Sequence, residues 1–336
     1  MPREEVVLYD KIKNVRQTPL EEFYTSGHRT CQGCESAMVM RGFAKAAGPR
    51  TIAMGSTGCM YVANTSYMTT PWVIPWMHTQ LGAGGSAAVG TAAGLRALMR
   101  KGKIPAEKIN VISFCGDLGG ADMGLSAISA ALQTDYDLLI ILYDNESAAN
   151  TDIQATGLTP YGAQTTFTPP GKKHRIMQRR WKKNVAGMLA VGHPTCRYVA
   201  TACATFPPLD YLNKVRKALS IGGPTFIHTF DPCPKGWDYH PRYSHELGEL
   251  GIKSGIFPLY EIIDGQVFYT YDARKGRIPV REYLTRQGRF AHLTEEDIEY
   301  IQKMVDEMWE EWDIPGVVPV RGFLKVADKQ PAGIAD

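Results

Sequence analysis

Two short apolar runs, each closing on a polar pair, constrain this chain more than any other feature. "NVISFCGD" (110–117) ends in Gly116 and Asp117, and "DLLIILYDN" (137–145) ends in Asp144 and Asn145. The small-residue helical segment "MGLSAISAALQ" (123–133) lies between them. Apolar runs of this length without alternation fit strands buried on both faces. The same rhythm recurs along the chain. Strands are predicted at 50–56, 196–203 and 224–231, and helices at 35–48, 85–100, 184–192 and 208–221. Strands alternating with helices predict an α/β fold, a parallel sheet with helices on both faces. Residues 1–27 read as a polar N-terminal arm, 28–240 as the α/β domain, and 241–336 as a C-terminal extension packing on the core or on a partner. The extension holds one clear helix at 294–312, with Thr294 as its N-cap and acidic residues in its first turn. Residues 62–83, rich in Thr, Trp, Pro and Gly, read as a long functional loop.

Composition removes several classes of function. The 336 residues carry a net charge of +3, which gives no reason to expect nucleic acid or an anionic membrane as partner. The basic run "KKHRIMQRRWKK" (172–183) reads as a solvated face or a loop near a phosphate. The longest aliphatic run, "LLIIL" (138–142), is too short to span a bilayer. The N-terminus is charged and lacks an apolar leader core, so a cytoplasmic protein is expected. Seven cysteines without an export signal argue against a disulfide framework.

In a right-handed β–α–β unit, Asp117 and Asn145 emerge together at the carboxyl edge of the sheet. Mg²⁺ takes a near-octahedral set of hard oxygens, commonly shared with phosphates. A carboxylate from Asp117, an amide oxygen from Asn145 and the backbone carbonyl of Ser147 supply three positions. Gly116, Gly119 and Gly120 let backbone approach a diphosphate, and the helix N-terminus that follows favours an anion. The segment resembles the motif of thiamine diphosphate enzymes, which begins Gly-Asp-Gly and closes on Asn about thirty residues later. Leu118 stands where that motif has its second glycine.

The cysteines divide into two groups. Cys115, Cys196 and Cys203 lie in or beside strands and read as small buried hydrophobes. Cys31 and Cys34 form a C-x-x-C, Cys59 follows in "STGC", and Cys233 sits far downstream in "DPCPKGW". Structural zinc, an iron–sulfur cluster and a redox pair all fit a C-x-x-C with distant partners.

"SGHRTCQGC", "STGC", the Gly-Asp…Asn-Glu-Ser-Ala-Ala-Asn-Thr segment, "YVATA" and "DPCPKGW" occur in the order seen in the β subunit of pyruvate:ferredoxin oxidoreductases and related 2-oxoacid:ferredoxin oxidoreductases. The similarity runs from about residue 26 to about 240. It implies that Cys31, Cys34, Cys59 and Cys233 hold one [4Fe–4S] cluster near thiamine diphosphate. It implies that Asp117, Asn145 and the Ser147 carbonyl bind Mg²⁺, and that Asn150 lies at the reactive part of the cofactor. Thr57, Gly58, Gly116, Leu118, Gly119 and Thr151 are the further residues expected against the cofactor. His78 is a candidate for reaching a phosphate or the substrate. The implied reaction is CoA-dependent oxidative decarboxylation of a 2-oxo acid, pyruvate first, with ferredoxin reduced; it can also run as reductive carboxylation. Oxalate, branched-chain and aryl 2-oxo acids stay open as substrates. The resemblance places the glutamate that activates the cofactor on an α subunit, with γ and ferredoxin-like δ subunits as further partners. Two other readings stand beside it: a non-catalytic α/β subunit with structural zinc, and a thiamine diphosphate carboligase or decarboxylase without redox chemistry.

Overall fold

The computed structural model describes residues 9–65, 69–313 and 325–326, the last two and 311–313 by backbone alone. Ten α-helices and nine strands are assigned among them, besides short 3₁₀ and π turns. In chain order the strands are β1 (Thr51–Ser56), β2 (Trp76–Thr79), β3 (Asn110–Cys115), β4 (Leu138–Asp144), β5 (Tyr198–Ala202), β6 (Pro224–Phe230), β7 (Leu259–Ile263), β8 (Gln266–Tyr271) and β9 (Lys325–Val326). The helices are α1 (Glu35–Ala47), α2 (Cys59–Ala63), α3 (Gly84–Arg100), α4 (Leu125–Leu132), α5 (Val185–Gly192), α6 (Asp210–Ser220), α7 (Pro234–Trp237), α8 (Ser244–Lys253), α9 (Val280–Leu284) and α10 (Glu295–Asp313).

One sheet runs β2-β1-β3-β4-β6-β5-β7-β8-β9. The six strands from β2 to β5 are mutually parallel, as the apolar runs predict. Strand β4 shows why these runs do not alternate. Leu138, Ile140 and Leu142 enter the core on one face, and Leu139, Ile141 and Tyr143 enter it on the other. Helices α1 and α6 pack together on one side, and α3 and α4 pack together as well.

The expected loop at 62–83 contains the short edge strand β2, paired with β1 through Ala53–Trp76 to Ser56–Thr79. The C-terminal extension continues the sheet: β7 joins β5 antiparallel, and β8 folds back on β7. Asp264 and Gly265 close that hairpin with φ of 48° and 79°, the two left-handed residues of a tight hairpin turn. Helix α10 begins one residue after Thr294, whose Oγ accepts from the Asp297 N–H while Asp297 accepts from the Thr294 N–H. The described part of the N-terminal arm, from residue 9, lies on α1 and α6: Glu22 pairs with Arg41 and Lys45, and the Ile12 backbone pairs with the Asn213 amide. No helix of the described residues is long and apolar enough to cross a membrane.

From β1 the chain reaches β2 on one side of the sheet, then crosses to β3 on the other. Ligands of open α/β sheets bind at such a reversal, beyond the carboxyl ends of the strands. The loops after β1, β3, β4 and β6 leave four neighbouring strands at that edge. They carry Thr57–Cys59, Gly116–Asp122, Asn145–Thr151 and Asp231–Cys233.

Candidate active site

A cavity of about 90 Å³ opens where these loops meet. Thr57, Gly58, Cys59, Gly116, Leu118, Gly119, Asn145, Ser147, Asn150 and Thr151 line it, together with Leu81, Tyr143, Ala148 and Ala149. Nine of these are residues that the sequence marked for cofactor contact. Asp117 lies beneath the lining, 2% exposed. One of its carboxylate oxygens accepts from the Asn145 N–H (3.2 Å) and the other from Thr156 Oγ (3.3 Å). So the ends of β3 and β4 are locked together through the side chain that leaves β3.

Several buried atoms at this edge have no hydrogen-bond partner, among them Asn145 Oδ1, Ser147 Oγ, Tyr143 OH and both Asp231 carboxylate oxygens. Buried polar atoms are normally satisfied, so an orphaned acceptor beside a buried carboxylate fits a cation. Burial, and then the Asp144 carboxylate, push the Asp117 carboxyl well above its ordinary range. The donor set is hard oxygen, which suits Mg²⁺.

Leu118 opens a π-helical turn, Leu118–Asp122, before α4. Such turns concentrate at functional sites. The close approach falls to Gly119 instead of residue 118: a Cβ there would lie 2.9 Å from Leu81 O and 3.1 Å from Ser56 Cβ. Three non-glycine residues of the β4 loop are left-handed, Glu146, Asp152 and Ile153. They bracket Asn150 and Thr151, both exposed at the rim. A left-handed β-branched residue such as Ile153 is strained, and strain of this kind gathers at functional loops.

His78 is on β2 and outside the lining. Its Nε2 lies 2.9 Å from Thr57 Oγ, which itself donates to Thr79 O. Thr57 therefore accepts from Nε2–H, and His78 touches the cavity only through Thr57. Partial burial holds His78 below its usual value.

The four cysteines set apart by the sequence lie close enough to act on one another's charge, and Cys59 lines this cavity. Cys34 N–H donates to Cys31 O (3.2 Å), closing the C-x-x-C turn over Gly33 at φ 70°. A Cβ on Gly33 would lie 2.6 Å from Pro241 O, so this turn is also pressed against the chain after Cys233. Cys34 precedes α1, Cys59 starts α2, and Cys233 caps α7, its Sγ accepting from Gly236 N–H (3.3 Å). Burial pushes Cys34 up to about 12, with Cys233 and Cys31 adding to it. Cys59 is raised by burial and then by Cys233, Cys34, Cys31 and Asp117. Cys59 also lines the cavity, so it joins the two halves of the site. Among the described residues no three His, Cys, Asp or Glu side chains form a group able to hold a single metal ion. Cys115, Cys196 and Cys203 are buried in the core, as expected. His28 pairs with Thr30 and stacks on Tyr24.

The sequence did not reveal the charged layer behind the cavity. Asp144 Oδ2 accepts from Lys182 Nζ (2.8 Å) and contacts His228 Nε2 (2.9 Å). Burial alone would raise Asp144, but Lys182 and His228 outweigh it and hold it low. Glu146 pairs with Lys182 and Arg289. The run 172–183 is thus not simply a solvated face: Lys182 turns inward, Lys183 pairs with Asp122, and Arg175 pairs with Asp297. Only Trp181, Lys182 and Lys183 of that run line the larger cavity, of about 340 Å³, that extends from His228 toward Ile301 and Met304.

Comparison with known proteins identifies the family. Residues 56–229 match the family model "Thiamine pyrophosphate enzyme, C-terminal TPP binding domain". The pyruvate synthase subunit PorB of Methanocaldococcus jannaschii is 48% identical over 294 residues, 87% of this chain and 97% of that one. The PorB of Methanothermobacter thermautotrophicus is 43% identical over 87% of this chain and 98% of its own. The ketoisovalerate oxidoreductase subunit VorB of Pyrococcus horikoshii is 37% identical over 90% and 96%. A 2-oxoglutarate:ferredoxin oxidoreductase from Magnetococcus marinus shares the fold, with a TM-score of 0.51 at 17% identity over 72% of this chain and 82% of that chain. The chain belongs to the 2-oxoacid:ferredoxin oxidoreductase family, as a subunit of the PorB and VorB type built on a thiamine pyrophosphate-binding domain.

Proposed function

We propose that this chain is the β subunit that binds thiamine diphosphate, Mg²⁺ and a [4Fe–4S] cluster in a CoA-dependent pyruvate:ferredoxin oxidoreductase. The observation that carries the proposal is Cys59, which lines the cavity at the carboxyl edge and starts α2 directly after Thr57 and Gly58. Asp117, Asn145 Oδ1 and the Ser147 carbonyl would hold the Mg²⁺. Gly116, Leu118 and Gly119 would receive the diphosphate. Thr57 and Gly58 stand between the cofactor and Cys59, with His78 orienting the Thr57 hydroxyl. Asn150 and Thr151 would face the reactive end from the rim.

The bound groups would supply an electron sink for breaking the bond between a 2-oxo carbon and its carboxylate, and an acceptor for single electrons. The chain's own residues bind, orient and dry that site. Pyruvate is favoured because the pyruvate synthase subunits above share more identity than the ketoisovalerate subunit does. In this reading an α subunit supplies the activating glutamate, γ and δ subunits complete the enzyme, and ferredoxin takes the electrons in the cytoplasm. The unit at 28–240 carries the site, with the arm and the extension as its supports.

The test is anaerobic purification with the partner subunits, followed by CoA-dependent viologen reduction with pyruvate and ketoisovalerate. Faster turnover of pyruvate supports the proposal. Turnover of ketoisovalerate alone would reassign the substrate, and one zinc per chain, with no iron beyond that of the δ subunit, would overturn the cluster.

A further inference from the structure

Between the two proposed Mg²⁺ contacts, Asn145 and Ser147, stands a residue that touches neither the cavity nor solvent. Glu146 is 1% exposed and left-handed, with φ 64°. Non-glycine residues rarely adopt this conformation without being held there. It turns the chain sharply within one residue, so the Asn145 side chain and the Ser147 residue both line the cavity.

Every polar group of Glu146 is held. Its N–H donates to Asp144 Oδ1 (2.8 Å) and its carbonyl accepts from Thr159 Oγ (2.8 Å). One carboxylate oxygen accepts from Lys182 Nζ (2.6 Å) and the other from Arg289 Nη2. Arg289 comes from the C-terminal extension and is itself 4% exposed. Its Nε donates to Gln287 Oε1 (2.8 Å) and its guanidinium stacks 4.0 Å over the Trp237 ring. Trp237 Nε1 in turn donates to the Asn145 carbonyl (2.9 Å). Arg289, Glu146, Asn145 and Trp237 thus form a closed ring around the loop. Trp237 ends the short helix that Cys233 caps, so the ring also ties the loop to the cysteine site.

We infer that Arg289 is a positioning residue for the Mg²⁺ of this subunit, clamping Glu146 so that the loop presents a preformed metal site. The inference rests on the Mg²⁺–thiamine diphosphate reading above. It is independent of the substrate and of the cluster.

The test uses the multi-subunit complex, prepared anaerobically and stripped of Mg²⁺ and thiamine diphosphate. Thiamine diphosphate binding is titrated calorimetrically at increasing Mg²⁺. Arg289→Met raises the Mg²⁺ needed for half-maximal binding by about 10-fold or more, the range for partners that orient a metal ligand. Arg289→Lys recovers part of the loss. Trp237→Phe keeps the stacking, loses only the hydrogen bond to Asn145, and raises the requirement less. Lys217→Met serves as control. It breaks an equally buried pair with Glu261 of β7 and leaves the Mg²⁺ requirement within about 2-fold, although it lowers thermal stability. Should Arg289→Met prevent assembly, Arg289→Lys and Trp237→Phe carry the test. Unchanged Mg²⁺ dependence in the Arg289 and Trp237 variants overturns the clamp, and so does an equal rise in Lys217→Met. A wild-type complex that binds no thiamine diphosphate at any Mg²⁺ concentration overturns the site reading, and the clamp with it.

Discussion

Two buried polar clusters in this chain are built to opposite rules. Where α6 meets β5 and β7, every charge is closed. Lys217 Nζ donates to both Glu261 oxygens at 2.7 Å, and Tyr198 OH donates to Glu261 Oε1 at 2.6 Å. Lys214 reaches the Thr201 carbonyl, Thr270 Oγ and Asp210. At the carboxyl edge, Asp117 has two long contacts, while Asn145 Oδ1 and Ser147 Oγ have none. A closed buried network rigidifies a fold, and an open one costs stability unless something fills it. The contrast marks the carboxyl edge as the place where a ligand completes the structure.

The largest effect should come from the open cluster. Asp117→Asn is expected to weaken Mg²⁺-dependent thiamine diphosphate binding by more than the about 100-fold seen for outer partners. Thermal stability of the cofactor-free complex should hold or rise, because a buried carboxyl with a raised pKa is removed. A drop in cofactor-free stability equal to that of a closed-cluster variant would erase the distinction.

Next comes the closed cluster itself. Lys217→Met leaves Glu261 buried and unpaired, a loss of about 3–5 kcal/mol, read by denaturant or calorimetric unfolding with cofactor affinity unchanged. If cofactor affinity fell with it, the two clusters would be one network.

The smallest effect belongs to an exposed pair. A hydrogen bond from Arg41 holds the Glu22 carboxyl down at about 2. A depressed carboxyl stabilises the fold above its ordinary value of 4.5 and loses that contribution as pH falls through about 2. Because the pair is solvent-exposed, its contribution is at most about 1 kcal/mol. Wild type and Glu22→Gln should therefore differ slightly at pH 6 and converge toward pH 2, read by unfolding of the arm under limited proteolysis. A constant difference across that range would remove the pair from the arm's docking.

What the sequence made legible follows the same contrast. The β3–α4–β4 unit was readable because its strands are uninterrupted apolar runs, and Asp117 and Asn145 follow them directly. Spacing and motif order set Cys31, Cys34, Cys59 and Cys233 apart from the three cysteines of the core. The strand β2 was not, because four residues among Trp, Pro and Thr carry no period. The β7–β8 hairpin carries a signal in Asp264–Gly265 between β-rich segments, but the aromatic, charged residues around it mask the alternation of its strands. Lys182 was hidden within a basic run, since tertiary packing alone decides which lysine turns inward. Arg289 lies 143 residues from Glu146, and nothing local marks it as a partner.

The account's central claim is that the four cysteines and the Mg²⁺ cradle serve one reaction. The most direct measurement compares the wild-type complex with Cys233→Ala, both purified anaerobically, for iron, bound thiamine diphosphate and pyruvate-dependent viologen reduction. The account predicts that Cys233→Ala loses one cluster's worth of iron and its viologen reduction while still binding thiamine diphosphate. Undiminished viologen reduction in Cys233→Ala, with its iron intact, would contradict it.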